Sequence, residues 1–213
     1  MLTLQHIQKR YYDRLIINIP QLELPAGIYW MQGGNGAGKT TCLKIMSGLI
    51  PFDGEVRINT DISSKQHPVR YRQLVNYAEA EPLYPAFLTG RDLVQLHITT
   101  KGAGHEDIHA LSTSLGIPDF INNPVSSYSS GMLKKLSLLL AFTGKPSFIL
   151  LDEPLITLDT AAIQELYTWI HRFHTQHNVS FLITSHQPLL DGALPVRATL
   201  ALSDGQLIIS MNN

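Results

Sequence analysis

The chain holds a single cysteine, Cys42, among its 213 residues. No intrachain disulfide can form, which suits a reducing cytosol. It contains no run of 18 apolar residues; residues 136–142 are apolar but far too short, so no segment is read as spanning a membrane. No signal-peptide pattern is read at the N-terminus either. Charge is scarce: 15% of residues carry it and the formal net charge is -1. That excludes a strongly basic nucleic-acid binder, although local patches stay open. There is no internal repeat and no low-complexity tract. What is present is a 44% hydrophobic composition, enough for a packed core and against disorder. The length fits one domain or two closely joined ones.

Against this background one stretch stands out. Gly33-Gly34-Asn35-Gly36-Ala37-Gly38-Lys39-Thr40 fits G-x-x-x-x-G-K-[ST] at every fixed position. Ile28-Tyr29-Trp30-Met31-Gln32 before it reads as a short buried strand, and residues 41–47 after it read as a helix stopped by Gly48. Strand, loop and helix in that order are the context a phosphate cradle requires. The glycines let the backbone wrap tightly and turn several N–H groups inward toward phosphate oxygens. The helix N-terminus adds partial positive charge at the same spot. Gly33, Gly34, Asn35, Gly36, Ala37, Gly38, Lys39, Thr40 and Thr41 are therefore candidate nucleotide contacts. Lys39 would reach the β- and γ-phosphates, and the Thr40 hydroxyl would sit on Mg²⁺. Cys42 lies in the first turn beyond Lys39, where a helix N-terminus can lower a thiol pKa. A small helix residue beside the nucleotide is the plainer reading of it.

Residues 2–7, 15–19 and 28–32 read as strands, with Pro20, Pro25 and Gly27 breaking the chain between them. Phe52-Asp53-Gly54 is a turn signal followed by a strand over 55–58, and residues 75–78 form another short strand. From Pro82 to about Phe142 the pattern becomes helical. Thr89 can cap a helix containing Leu93, Leu96 and His97, and residues 106–115 suggest a second, ended by Gly116 and Pro118. Ser129 or Ser130 can cap a third, in which Leu133, Leu136 and Leu140 share one face and Lys134 and Lys135 lie elsewhere. Residues 101–105 look the most flexible. Alternation of strand and helix then returns, with a buried strand at 148–151, a helix at 160–174 and a strand at 180–184, arguing for a parallel sheet covered by helices. Ser203-Asp204-Gly205-Gln206 joins two last strands in a tight hairpin.

A second constellation follows the strand Phe148-Ile149-Leu150-Leu151, which ends in Asp152 and Glu153. Open α/β sheets bind ligands at the C-terminal ends of their strands. Asp152 is suited to hold Mg²⁺ through water, and Glu153 to polarise a water aimed at the γ-phosphate.

With these residues in view, the chain resembles the nucleotide-binding subunit of an ATP-binding cassette (ABC) transporter, over nearly its whole length and with motifs in the family's order. Tyr128-Ser129-Ser130-Gly131-Met132 matches the family signature, usually L-S-G-G-Q. Asp159 matches the D-loop, His186 the switch histidine, and Tyr11 the aromatic that stacks on adenine, with Tyr12 the other candidate. The resemblance implies an α/β fold: a P-loop NTPase (RecA-like) parallel-sheet core, an N-terminal antiparallel β subdomain and a helical subdomain. These would form one domain over 1–213, with the core and β subdomain at about 1–81 and 143–213 and the helical signature subdomain at 82–142. It also implies two cassettes, identical or not, closing head to tail on ATP and Mg²⁺. Ser129 and Gly131 of one would then cover the γ-phosphate held by Lys39 of the other. An integral membrane permease would use the motion, which places the chain peripherally on the cytoplasmic face of the membrane; no nucleic-acid partner is expected.

The sequence departs from the family in three places. The Q-loop glutamine falls near Ala80, so Glu79 or Glu81 substitutes for it or coupling differs; Ser130 and Met132 alter the signature; and Leu155-Ile156-Thr157-Leu158 replaces small residues before Asp159. Three other functions compete. A soluble ABC ATPase acting on nucleic acid or ribosomes would usually carry tandem cassettes or basic extensions. A small-molecule P-loop kinase gives no reason for Ser129, Gly131 and His186 in this order. A non-hydrolysing scaffold gives none for Lys39, Asp152, Glu153 and His186 together.

Overall fold

The computed structural model describes residues 1–102, 108–186, 188–190 and 192–211. Two sheets organise it. β1 (Leu2–Tyr11) pairs antiparallel with both β2 (Arg14–Leu24) and β4 (Asp53–Ile58), and the short β5 (Ile62–Ser63) follows β4, giving a four-stranded sheet in the order β2-β1-β4-β5. Register sets Leu2 against Leu24 and Ile58, and Leu4 against Leu22 and Val56, so one face of this sheet is aliphatic and buried. That face packs on α1 (Lys39–Met46).

The second sheet has six strands in the order β10-β9-β3-β8-β7-β6. β3 (Ile28–Gln32), β6 (Val75–Ala78), β7 (Phe148–Leu151), β8 (Ser180–Thr184) and β9 (Val196–Ser203) run parallel, and β10 (Gln206–Met211) returns antiparallel along β9. Its residues divide by parity. Tyr29, Met31, Phe148, Leu150 and Leu182 face α1 and the first sheet. Ile28, Ile149, Leu151, Phe181 and Ile183 face α5 (Ser130–Phe142) and α6 (Thr160–His177). A sheet buried on both faces needs apolar residues at successive positions, which is why β7 reads Phe-Ile-Leu-Leu. α2 (Pro68–Leu74) precedes β6. α3 (Gly90–Lys101) and α4 (Ile108–Ser114) lie between β6 and α5, and a third cluster of Leu93, Val125, Tyr128, Leu136 and Leu140 joins α3 to α5. Among the described residues no helix is long and apolar enough to cross a membrane.

The structure differs from the sequence reading in several elements. β2 runs straight through Pro20, which was expected to end it. β2 is the outer strand of its sheet, where a missing N–H costs no ladder bond, and the facing residue His6 is itself bulged at φ 52°. Asp53 and Gly54 open β4 instead of forming a turn. Gly54 sits at φ 94° where a Cβ would come 2.4 Å from the His6 carbonyl oxygen, so only glycine passes the bulge. Lys101, expected in a flexible stretch, closes α3 and donates from Nζ to the Arg72 carbonyl and to Asn76 Oδ1 at 2.9 Å. Residues 103–105 of that stretch, and the expected helix start at Glu106, lie outside the described residues. The last hairpin turns at Asp204 and Gly205, both at positive φ, and Gly205 accepts a hydrogen bond from Asn18 N at 2.7 Å, tying β10's turn to β2.

Candidate active site

The loop between β3 and α1 is shaped by two glycines that cannot be replaced in place. A Cβ at Gly33 would stand 2.8 Å from the Leu202 carbonyl oxygen; one at Gly38, at φ 101°, would stand 3.1 Å from Ile17 Cδ1. Gly34 and Gly36 face open space. Lys39 is nearly buried and lies back along the loop, donating from Nζ to the carbonyls of Gly33 at 2.7 Å and Gly34 at 3.3 Å. The residues from Gly34 to Thr41 form the floor of a cavity of about 480 Å³. Tyr11 and Ile16 close one side of it; Ala80, Glu81, Glu153, Ile156 and His186 close the other. Tyr12, by contrast, is fully exposed. The Lys9 ammonium lies 4.9 Å from the Tyr11 ring centroid while donating to the Pro51 carbonyl at 2.8 Å, so it covers one face of the ring. Of the two loop glutamates, Glu81 lines the cavity and Glu79 does not.

β7 delivers Asp152 and Glu153 to the C-terminal edge of the parallel sheet. Asp152 is buried, and each of its oxygens accepts a hydrogen bond: Oδ1 from Thr184 Oγ1 at 2.9 Å, Oδ2 from the Tyr77 hydroxyl at 3.0 Å. Burial, and after it the Asp152 charge, push the Tyr77 phenol pKa well up, so it stays a donor. Thr184 Oγ1 also accepts from Glu153 N at 2.9 Å, which holds Glu153 at φ 46°, a left-handed conformation that carries strain for a residue with a side chain. Glu153 Oε2 accepts from His186 N at 3.1 Å. His186 Nε2 lies 3.2 Å from Oε1 but off the axis of a hydrogen bond, and Oε1 is buried without any hydrogen-bond partner. A buried acceptor left open beside the cavity is what a positioned water would satisfy.

Ser129, Gly131 and Asp159 do not line this cavity. Ser129 caps α5, its Oγ accepting from Met132 N at 3.2 Å, and the Met132 thioether takes the reciprocal bond from Ser129 N at 3.4 Å, where a glutamine side chain would ordinarily serve. A Cβ at Gly131 would meet the Thr157 carbonyl oxygen at 3.0 Å. Asp159 caps α6 by accepting from Ala162 N at 2.8 Å and pairs with Lys135 at 3.3 Å; these two contacts, the first above all, hold its carboxyl below the usual carboxylate range.

Three residues escaped the sequence reading. Tyr77 and Thr184 orient Asp152, and only the folded sheet brings them to it. Lys134 was set apart from the apolar faces of α5, yet its side chain is 1% exposed. One helical turn separates it from Leu138, which packs on the sheet with Ala141 and Phe142, and that stripe was the available signal. For Cys42 the plainer reading stands and the lowered-pKa alternative falls: the thiol is fully buried, and burial pushes its pKa up to about 12.

Residues 19–156 match the family model described as ABC transporter. The chain is 30% identical over 194 residues to the lantibiotic transport ATP-binding protein SrtF of Streptococcus pyogenes, covering 87% of this chain and 80% of that one. It is 31% identical over 193 residues to the cytochrome c biogenesis ATP-binding export protein CcmA of Legionella pneumophila, covering 89% and 94%. Among solved structures, an ATP-binding subunit of an ABC transporter superposes with a TM-score of 0.89 at 20% identity, over 99% of this chain and 90% of that one. A dimeric post-hydrolysis state of the ATP-binding cassette MJ0796 bound to ADP and Pi superposes with a TM-score of 0.79 at 18% identity, over 99% and 98%. The chain belongs to the ABC transporter family. It is an ATP-binding and ATP-hydrolysing cassette of that family, with the P-loop NTPase fold.

Proposed function

We propose that ATP occupies the 480 Å³ cavity with its phosphates on the Gly33–Thr41 loop and its adenine against the free face of Tyr11. Lys39 would exchange its loop carbonyls for β- and γ-phosphate oxygens. Thr40 lines the cavity and Asp152 lies buried behind it next to Glu153; both offer hard oxygen donors to Mg²⁺. No group of three or more metal-ligating side chains exists among the described residues, which fits a Mg²⁺ ion held mostly by phosphate and water. Bound there, Mg²⁺ would neutralise charge developing on the phosphates. Glu153 Oε1 accepts the proton of the attacking water, and His186 keeps that carboxylate aimed and can donate to the γ-phosphate. Ser129 and Gly131 lie outside the cavity of their own chain, so their anion-binding helix start serves a second cassette paired head to tail, with Asp159 at the seam. A membrane-spanning partner converts closure and reopening of the pair into transport, with this chain on the cytoplasmic side of the membrane.

The observation that carries this reading is the buried Glu153 Oε1, which accepts no hydrogen bond and has His186 Nε2 3.2 Å away, at the wall of the phosphate cavity. Glu153→Gln should keep ATP binding, slow hydrolysis by roughly 10²–10⁴-fold and accumulate an ATP-dependent dimer. Equilibrium nucleotide binding, single-turnover hydrolysis and light scattering measure the three. Turnover at the parent rate in that variant would remove Glu153 from the mechanism.

A further inference from the structure

Lys134 is a cation on α5 with almost no exposure to water. Its Nζ donates to the carbonyl oxygens of Glu79 at 2.9 Å and Ala80 at 2.5 Å, across from α5 to the loop that leaves β6. Ala80 and Glu81 of that loop line the nucleotide cavity, and Ala80 itself carries no group that could reach a ligand. The carboxylates of Asp152, Glu153 and Glu81 all act on the Lys134 charge, so it sits in the field of the hydrolytic site. Burial dominates over that field and brings its pKa down to about 8. Burying an ammonium is costly unless its donors are used, and here backbone carbonyls use two of the three. The same helix begins at Ser129 and Gly131, about one turn before Lys134.

Building on the function proposed above, we infer that Lys134 is a positioning residue that links the chain's own nucleotide cavity to the start of α5, through the carbonyls of Glu79 and Ala80. A side chain of α5 thereby takes over the connection that residue 80 cannot make. Movement of the 79–81 loop on nucleotide binding pulls on two charge-assisted bonds, and α5 follows as a rigid rod, shifting Ser129 and Gly131 at its tip. Asn76 pins the C-terminal end of α5 through the carbonyls of Ala141 and Thr143, so the shift is taken up at the N-terminal tip.

The test is hydrogen exchange on the full chain in the Glu153→Gln background, with and without ATP and Mg²⁺, comparing Lys134→Met and Lys134→Arg. In the parent, ATP should protect both residues 33–40 and residues 130–135. With Lys134→Met, protection at 33–40 should persist while the ATP-linked protection at 130–135 falls by at least about 5-fold, the lower end of the usual coupling between sites. Lys134→Arg should restore most of it. Undiminished ATP-linked protection at 130–135 in Lys134→Met overturns the inference. So does equal loss in the Arg and Met variants accompanied by faster exchange of α6 without nucleotide, which marks a packing role only. A parent that gains no protection at 33–40 overturns the ATP site itself, and the inference with it.

Discussion

Lys39 and Cys42 stand three positions apart on one short helix and meet opposite fates. Lys39 turns toward the cavity, where its ammonium is spent on two loop carbonyls. Lys39→Ala should weaken ATP binding by roughly 10–150-fold, the range of a hydrogen bond to a charged group, as read by equilibrium nucleotide titration. Cys42 turns into the core. Burial holds its proton with a pKa near about 12, so the thiolate needed for attack is scarce at neutral pH. The folded chain should resist thiol reagents and keep its ATP affinity during exposure, whereas the urea-unfolded chain should react at once; absorbance of the released thiol chromophore follows both. Legibility at this scale depends on what a residue must touch. Lys39, Thr40 and Glu153 could be placed at one cavity from sequence, because phosphate chemistry asks for those residue types next to a glycine loop and a buried strand end. Tyr77 and Thr184 could not, because their part depends on β6 and β8 flanking β7, and neighbourhood in a sheet leaves no mark on spacing.

Elements were readable where an unbroken apolar run marks them and obscured where tertiary position overrules a local rule. β3, β7 and β8 fall where their apolar runs placed them. β2 does not stop at Pro20, because the rule that proline ends a strand lapses on the outside of a sheet. α5 shows the same override, since a lysine beside two leucine faces reads as solvated until the fold supplies carbonyls for it. α3 offers a measurable counterpart. Lys101 at its end is partly buried, and burial, with Arg72 adding repulsion, lowers its pKa from 10.5 to about 8. Below about pH 8 the ammonium is charged in both states and its burial penalty is felt in full. Above that, the unfolded chain holds the proton that the folded chain has released, so this residue's contribution to stability rises with pH up to 10.5. Comparing the chain with Lys101→Met by urea unfolding, the stability difference should move in favour of lysine between about pH 8 and roughly 9.5, below the ordinary tyrosine range. A difference flat across that window would contradict the assigned burial of the cation.

At the scale of the molecule, two helices and a strand meet at one aromatic cluster. Phe142 of α5 stands edge-on to Phe173 of α6 at 4.9 Å and tilts against Phe181 of β8 at 5.7 Å. All three are buried, so Phe173→Ala should cost about 3–5 kcal/mol and lower the urea midpoint with no change in slope. The layering itself was legible, since alternating strands and helices admit few arrangements. How the helices from α3 to α5 seat on the sheet was not, because it rests on Asn76, whose amide donates to the carbonyls of Ala141 at 2.7 Å and Thr143 at 2.8 Å, a polar knot inside the fold. The final ribbon has a wider reach than its place suggests. Its turn clasps β2 through Gly205 and Asn18, and Ile16, two residues earlier on that strand, forms part of the wall of the nucleotide cavity. The turn between β9 and β10 thus braces the mouth of the cavity, and a change that loosened residues 206–211 would be felt first in how firmly nucleotide is held.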